Sequence, residues 1–222
     1  MSARSEILAR IRAGLSDVPA GSAPDGDVPV PWEYGRAGAL PAGVDVLELF
    51  VERCRDYKAV VERVAADGVP AAVVRHLTEA GVASVVLPAG LDEAWRDAVV
   101  AAGVEVLGDE PLLSAAALDA VGGVVTGARV GIAETGTIVL DHAPDQGRRA
   151  LTLVPDLHLC VIGAEQVVSD VPEAVALLRA SIEAGRPLTW VSGPSATSDI
   201  ELQRVEGVHG PRTLIILLRE VS

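Results

Sequence analysis

Aromatic side chains, cysteine and basic charge are all scarce in this chain. Trp32, Trp95, Trp190, Tyr34, Tyr57 and Phe50 are its only aromatics, 3% of 222 residues. A core built on rings is therefore excluded, and Ala, Val, Leu and Ile must fill it. Base-stacking nucleic-acid modules need aromatic platforms, so they are excluded as well. Eighteen Lys and Arg stand against 31 Asp and Glu, and the net charge is −13. A nucleic-acid binder needs a basic face, which this composition does not supply. Any anionic ligand must be caught by local Arg and backbone N–H groups, because the global field repels it.

Cys54 and Cys160 are the only cysteines. They are far apart, and only His158 lies near either at ligand spacing. An iron–sulfur cluster normally takes four thiolates, and a structural zinc site takes four clustered Cys or His ligands. No self-contained cluster or metal site is expected here, only two free buried thiols. No stretch approaches the ~18 uninterrupted apolar residues of a membrane span. The segment MSARSEILARIRAGL lacks the apolar core of a signal peptide. The expectation is a cytoplasmic chain.

What is present is a regular alternation. Ile7, Leu8, Ile11 and Leu15 share one face, which predicts a helix over 2–16. Residues 17–44 are rich in Pro and Gly and read as a linker or ordered arm. Residues 1–44 thus form an N-terminal helix and arm, and 45–222 the main domain. In that domain short Val/Leu/Ile runs alternate with amphipathic helices. The runs are Tyr57–Val64, Ser84–Leu87, Val104–Leu107, Leu157–Ile162, Leu188–Ser192 and Thr213–Leu218. The helices are 45–55, 69–80, 92–102, 111–120 and 172–184. This pattern predicts an α/β fold, a mostly parallel Rossmann-like sheet with helices on both faces. Strand-like runs on both sides of Gly131–Gly136 predict an inserted antiparallel pair.

Ligands of open α/β sheets bind beyond the carboxyl ends of strands, which directs attention to polar loops. In Gly131-Ile-Ala-Glu-Thr-Gly-Thr137, Glu134 is a lone carboxylate followed by Thr135, Gly136 and Thr137. It reads either as a nucleophile or general base, or as a turn whose Glu caps backbone N–H groups. Ser192-Gly-Pro-Ser-Ala-Thr-Ser-Asp199 offers Ser192, Gly193, Ser195 and Thr197 to an anion, with a helical turn expected near Asp199. It reads equally as a Pro-directed turn with Ser and Asp caps. Gly207-Val-His-Gly-Pro-Arg212 carries His209, a proton mover near neutral pH, and Arg212, a carboxylate or phosphate clamp. Its alternative is a turn before an edge strand, with a solvent-exposed His209. It reaches the same end of the sheet as Ser192 only if that strand runs antiparallel to Leu188–Val191. The candidate catalytic residues are Glu134, His209 and Asp199, and the loop Asp141–Arg149 is either a gate or a solvated connection. His76 reads as a surface residue, and His158 as backbone-paired or water-facing.

Together, GVVTGARVGIAETGTIVL, LHLCVIGAEQVV and WVSGPSATSDIELQRVEGVHGPRTLIILL resemble the LUD-domain family of lactate utilization proteins. The resemblance extends over essentially the whole chain. It implies a fold similar to the NagB/ribose-phosphate isomerase/CoA-transferase group. It also implies two partners, an Fe–S oxidoreductase subunit and an Fe–S protein with its own LUD domain, acting together in oxidation of L-lactate to pyruvate. Fe–S clusters are then expected in the partners, and no cofactor in this chain. By the same resemblance Glu134-Thr135-Gly136 is similar to the nucleophile element of CoA transferases, and Ser192–Thr197 with Arg212 would bind the anionic group. Two functions remain open. One is an enzyme subunit that holds a small carboxylate or phosphate. The other is a non-catalytic assembly or regulatory subunit with an effector site, docking through residues 2–44.

Overall fold

The computed structural model describes residues 3–16, 40, 43–194, 196–198, 204–207 and 209–220. Two compact units are distinguished, Met1–Tyr34 and Gly35–Ser222. In the first, α1 (Ala3–Gly14) leaves Ile7, Leu8 and Ile11 exposed. Trp32 and Tyr34, expected to pack, lie outside the described residues.

The second unit runs in the order α2 (Val46–Asp56), β1 (Val60–Val64), α3 (Val69–Glu79), β2 (Ser84–Val86), α4 (Glu93–Ala101), β3 (Glu105–Leu107), α5 (Ala115–Asp119) and β4 (Gly123–Thr126). It continues with β5 (Val130–Ile132), β6 (Thr137–Leu140), β7 (Leu157–Gly163), β8 (Val167–Val168), α6 (Val171–Glu183), β9 (Thr189–Val191), β10 (Ala196–Ser198), β11 (Arg204–Glu206) and β12 (Thr213–Arg219). Helix starts follow capping chemistry. The Asp45 carboxylate accepts from the N–H groups of Leu47 and Glu48 at 2.8 and 3.2 Å, Asp92 caps α4, and Asp170 caps α6. Gly81, at φ +68°, ends the α3 segment in the left-handed conformation that glycine adopts at no cost.

One helix is shorter than its sequence pattern. The helix expected over Pro111–Ala120 begins only at Ala115, capped by Ser114. The Leu113 N–H donates to Asp109 at 2.9 Å, and its carbonyl accepts from Arg148 at 2.7 Å. Both backbone groups of Leu113 are thus committed outside a helix.

Six strands form an all-parallel sheet in the order β1-β12-β7-β4-β2-β3. A second sheet, β8-β5-β6-β9, contains the expected antiparallel pair β5–β6. Alternation along the central strands sorts side chains to two faces. Leu159, Val161, Ile215 and Leu217 pack against α3 and α4. Cys160, Ile162, Leu214 and Ile216 meet α2 and the inner face of the second sheet, through Phe50, Ile138 and Leu140. The outer face of that sheet, Val130, Ile132 and Val139, is covered by Ala174 and Leu178 of α6. Phe50, the only Phe, is fully buried where α2 passes Gly131; a Cβ there would lie 3.1 Å from its ring. Truncation of such a ring costs on the order of 3–5 kcal/mol. Cys54 and Cys160 are free and buried, as expected. No described helix is long and apolar enough to cross a membrane.

Candidate functional site

The first loop is the turn between β5 and β6. Glu134 is exposed at its tip, and its N–H donates to the Ser169 carbonyl at 3.0 Å. Gly136 is required by geometry: its φ is +58°, and a Cβ would lie 2.6 Å from the Arg53 carbonyl carbon at the end of α2. The Thr135 and Thr137 hydroxyls are 2.8 Å apart, and Thr137 Oγ1 is 2.7 Å from Ser192 Oγ. A line of hydroxyls therefore connects the first loop to the second.

The second loop leaves β9 at Ser192. Gly193 has φ +82° and passes against the Tyr57 carbonyl oxygen, where no side chain fits. Thr197 is placed by its backbone, in β10 opposite Val205 of β11. Ser195, Asp199 and the helical turn expected near Asp199 lie outside the described residues.

The third loop brings His209–Pro211 onto Ser192–Pro194. They meet around a cavity of about 220 Å³, which is also lined by Arg149, Thr152 and His158. The two strands are not paired: β9 belongs to the second sheet, and β12 lies in the first between β1 and β7, an interior strand rather than the expected edge strand. The cavity lies between the sheets, at the amino ends of β7 and β12. Arg212 turns elsewhere. It pairs with Asp156 at 3.2 Å, is 63% exposed, and lines a different cavity with Gly81 and Asp119. Glu134 does not line the 220 Å³ cavity either.

The carboxyl ends of β2 and β4, where an open sheet would receive a ligand, are strapped by the loop after β6. Gly90 N–H donates to the Pro144 carbonyl and Gly127 N–H to the Asp145 carbonyl, both at 3.0 Å. Gln146 holds the strap from within by accepting from the Asp141 and His142 N–H groups at 2.7 and 3.1 Å. A larger cavity of about 620 Å³ remains beside the strap, over Leu87, Pro88 and His142. Arg148 and Asp109 are spent on each other there in a two-point ion pair, while Glu110 and Arg149 also line it.

Arg149 lines the smaller cavity as well as the larger one. Arg149 donates from Nη1 to Thr152 Oγ1 at 3.1 Å and from Nη2 to the His209 carbonyl at 3.3 Å. Among the described residues no carboxylate pairs with it, and burial draws its pKa down from the ordinary arginine value. His158 is fully buried. Its Nε2 lies 2.8 Å from Thr126 Oγ1, and its Nδ1 has no hydrogen-bond partner among the described residues. Burial, aided by the nearby Arg149 charge, pushes the His158 pKa down to about 3, so the ring is neutral at physiological pH. A guanidinium with no carboxylate partner among the described residues, beside the hydroxyls of Thr152 and Ser192, has the donors that a small anion would need.

Arg149 and Thr152 were not among the candidate residues, and His158, read as backbone-paired or water-facing, is instead fully buried and meets the Thr126 side chain. The signals were the Arg148-Arg149 pair in an acidic chain, and a histidine interrupting an apolar strand. His76, read as a surface residue, is half-buried and lies 2.7 Å from Glu62.

Comparison with known proteins places this architecture among relatives. The LUD domain family model matches residues 111–218. Lactate utilization protein C of Deinococcus radiodurans is 46% identical over 218 residues, which span 97% of this chain and 95% of that protein. Lactate utilization protein C of Bacillus pumilus is 40% identical over 91 residues, 39% of this chain and 38% of that protein. A crystal structure of a DUF162 family protein from Deinococcus radiodurans superposes with a TM-score of 0.67 at 44% identity, covering 78% of this chain and 95% of that one.

Proposed function

The chain belongs to the LUD-domain family, and on that premise we propose that it serves lactate utilization by holding a small carboxylate in the cavity between its two sheets. The observation that carries the proposal is Arg149, a half-buried cation with no carboxylate partner among the described residues. A guanidinium held in place by Thr152 and the His209 carbonyl is pre-aimed, so little ordering entropy opposes binding. The volume of about 220 Å³ suits a two- to four-carbon acid and lies below the range of drug-sized ligand pockets, which starts near ~300 Å³.

Oxidation of L-lactate to pyruvate releases two protons and two electrons. In this proposal the chain supplies binding and orientation, in the cytoplasm, and Fe–S clusters of the two partner subunits would accept the electrons. His209, at the rim beside Ser192, is the group proposed to take a proton. Glu134 and Asp199, the other candidates, are not assigned a step. The alternative of an assembly subunit draws on the exposed apolar residues Ile7 and Ile11 of α1.

Calorimetric titration of the purified chain with L-lactate, pyruvate, acetate and inorganic phosphate tests the binding step. The expected result is carboxylate binding that Arg149→Gln weakens at least about tenfold, the worth of one charged hydrogen-bonded contact, and that Arg212→Ala leaves intact. Absence of carboxylate binding, alone and with partners, sinks the proposal. Lactate oxidation that requires residues 1–44 but tolerates Arg149→Gln favours the assembly reading.

A further inference from the structure

A carboxylate site built on Arg149 needs that guanidinium to stay open, although protein carboxylates share a wall with it. Asp109, Glu110, Arg148 and Arg149 all line the larger cavity. Glu110 is exposed, and a pair formed in water is worth little. Asp109 is the stronger competitor, because its side chain is only 14% exposed.

Both Asp109 oxygens are taken by Arg148, from Nε at 2.5 Å and from Nη2 at 2.9 Å. Leu113 fixes the pair: its N–H donates to Asp109 at 2.9 Å, and its carbonyl accepts from Arg148 Nη2 at 2.7 Å. Arg149 is held less firmly. It makes single bonds to two neutral acceptors, Thr152 Oγ1 at 3.1 Å and the His209 carbonyl at 3.3 Å. Hydrogen bonds to an ionised acceptor are roughly twice as strong as those between neutral groups. A part-buried carboxylate that lost Arg148 would therefore draw Arg149 off Thr152 and His209.

We infer that Arg148 guards the anion site: by occupying both oxygens of Asp109 it keeps that carboxylate off Arg149, which stays open to the ligand. The inference rests on the carboxylate reading of the smaller cavity. Arg148 does not line that cavity, so it is a positioning residue and acts through Arg149. The adjacent arginines thus have separate tasks. One satisfies the protein's own carboxylate so that the other can meet a foreign one. Planar two-point pairing suits Arg148 to this, since a lysine would cover Asp109 at a single point.

Titrations of the full chain with L-lactate, each variant first checked for its fold by circular dichroism, test this. Arg148→Gln should weaken binding at least about tenfold, as Arg149→Gln does, because Asp109 captures the guanidinium. Asp109→Asn should bind nearly as the wild type does, since no competitor remains. The double variant Arg148→Gln/Asp109→Asn should recover most of the loss, a coupling that separate sites do not show. If the pair is only a structural tie, both single variants lose affinity alike and the double variant is no better. If Arg148 acts only through its distant charge, the loss disappears in 1 M salt, where the screening length is about 3 Å; capture survives it. A crystal structure of Arg148→Gln should place Arg149 within ion-pair distance of Asp109. Equal losses in the single variants, a loss that salt erases, or an Arg149 still on Thr152 overturns this inference while the carboxylate site stands. Failure of the wild type to bind any acid overturns both.

Discussion

Thr137 Oγ1 and Ser192 Oγ lie 2.7 Å apart, joining the β5–β6 turn to the loop that leaves β9. Thr137 is buried and Ser192 opens into the cavity, so the contact ties a site residue to the second sheet. Register puts Ile138 opposite Val191, and the two hydroxyls extend that pairing past the end of the ladder.

Thr137→Val should keep the shape of the site and remove this tie. The expected cost is about 1–2 kcal/mol, since Thr137 also bonds Thr135. Urea titrations would measure it, and carboxylate affinity should fall in parallel as Ser192 loses its anchor. Unchanged stability would mean that the hydroxyl line contributes nothing.

Gly193→Ala should be more damaging than its small size suggests. The residue has φ +82°, and its α-carbon faces the Tyr57 carbonyl, which belongs to backbone and cannot swing aside. Left-handed strain alone costs about 1–2 kcal/mol, and the contact adds to it. Gly185→Ala is the control. Its φ is +69° with nothing within 4 Å, so it should show the strain without the collision. Equal thermal shifts for the two variants would refute the crowding argument.

The fold was largely legible because hydrophobic period and caps are local signals. Asp45, Asp92 and Gly81 mark element ends in the sequence as they do in space. The loops Ser192–Pro194 and His209–Pro211 were legible as polar breaks, and they do share a cavity. Arg149 was not, because Arg148 beside it looks identical in sequence. Only the fold shows that Asp109 takes one guanidinium and leaves the other without a carboxylate among the described residues. His158 was hidden for a related reason. Strand alternation predicts which face it occupies but not that Thr126, on the neighbouring strand, meets only one of its nitrogens. The strap across the carboxyl ends of β2 and β4 is also tertiary, since Gly90 and Gly127 meet Pro144 and Asp145 only through the fold.

His158 should make the protein acid-sensitive in a defined window. Its folded pKa, near 3, lies below the ordinary value of 6.5. Above pH 6.5 the ring is neutral folded or unfolded and adds no pH dependence. Below it the unfolded chain takes up a proton that the folded chain refuses, so stability falls with pH until about 3. The slope from this group is roughly 1.4 kcal/mol per pH unit. Asp109, held below the usual carboxylate range by hydrogen bonds from Arg148, acts in the same direction in any variant. Subtracting the profile of His158→Gln isolates the histidine. Parallel profiles between pH 6.5 and 4 would show that the ring is not buried neutral.

Cys54 and Cys160 should be silent toward thiol reagents in the native protein. Burial pushes both thiols up to about 12, so at pH 8 almost no thiolate, the reactive form, exists. Both are also fully buried, which blocks access to the reagent. A disulfide-exchange reagent should therefore titrate two thiols in guanidinium and essentially none without it. The native rate should report opening of the fold rather than chemistry at the surface. If reagent concentration fails to accelerate the native reaction while denaturant does, opening is the limiting step. A fast native reaction of either cysteine would contradict its position in the core.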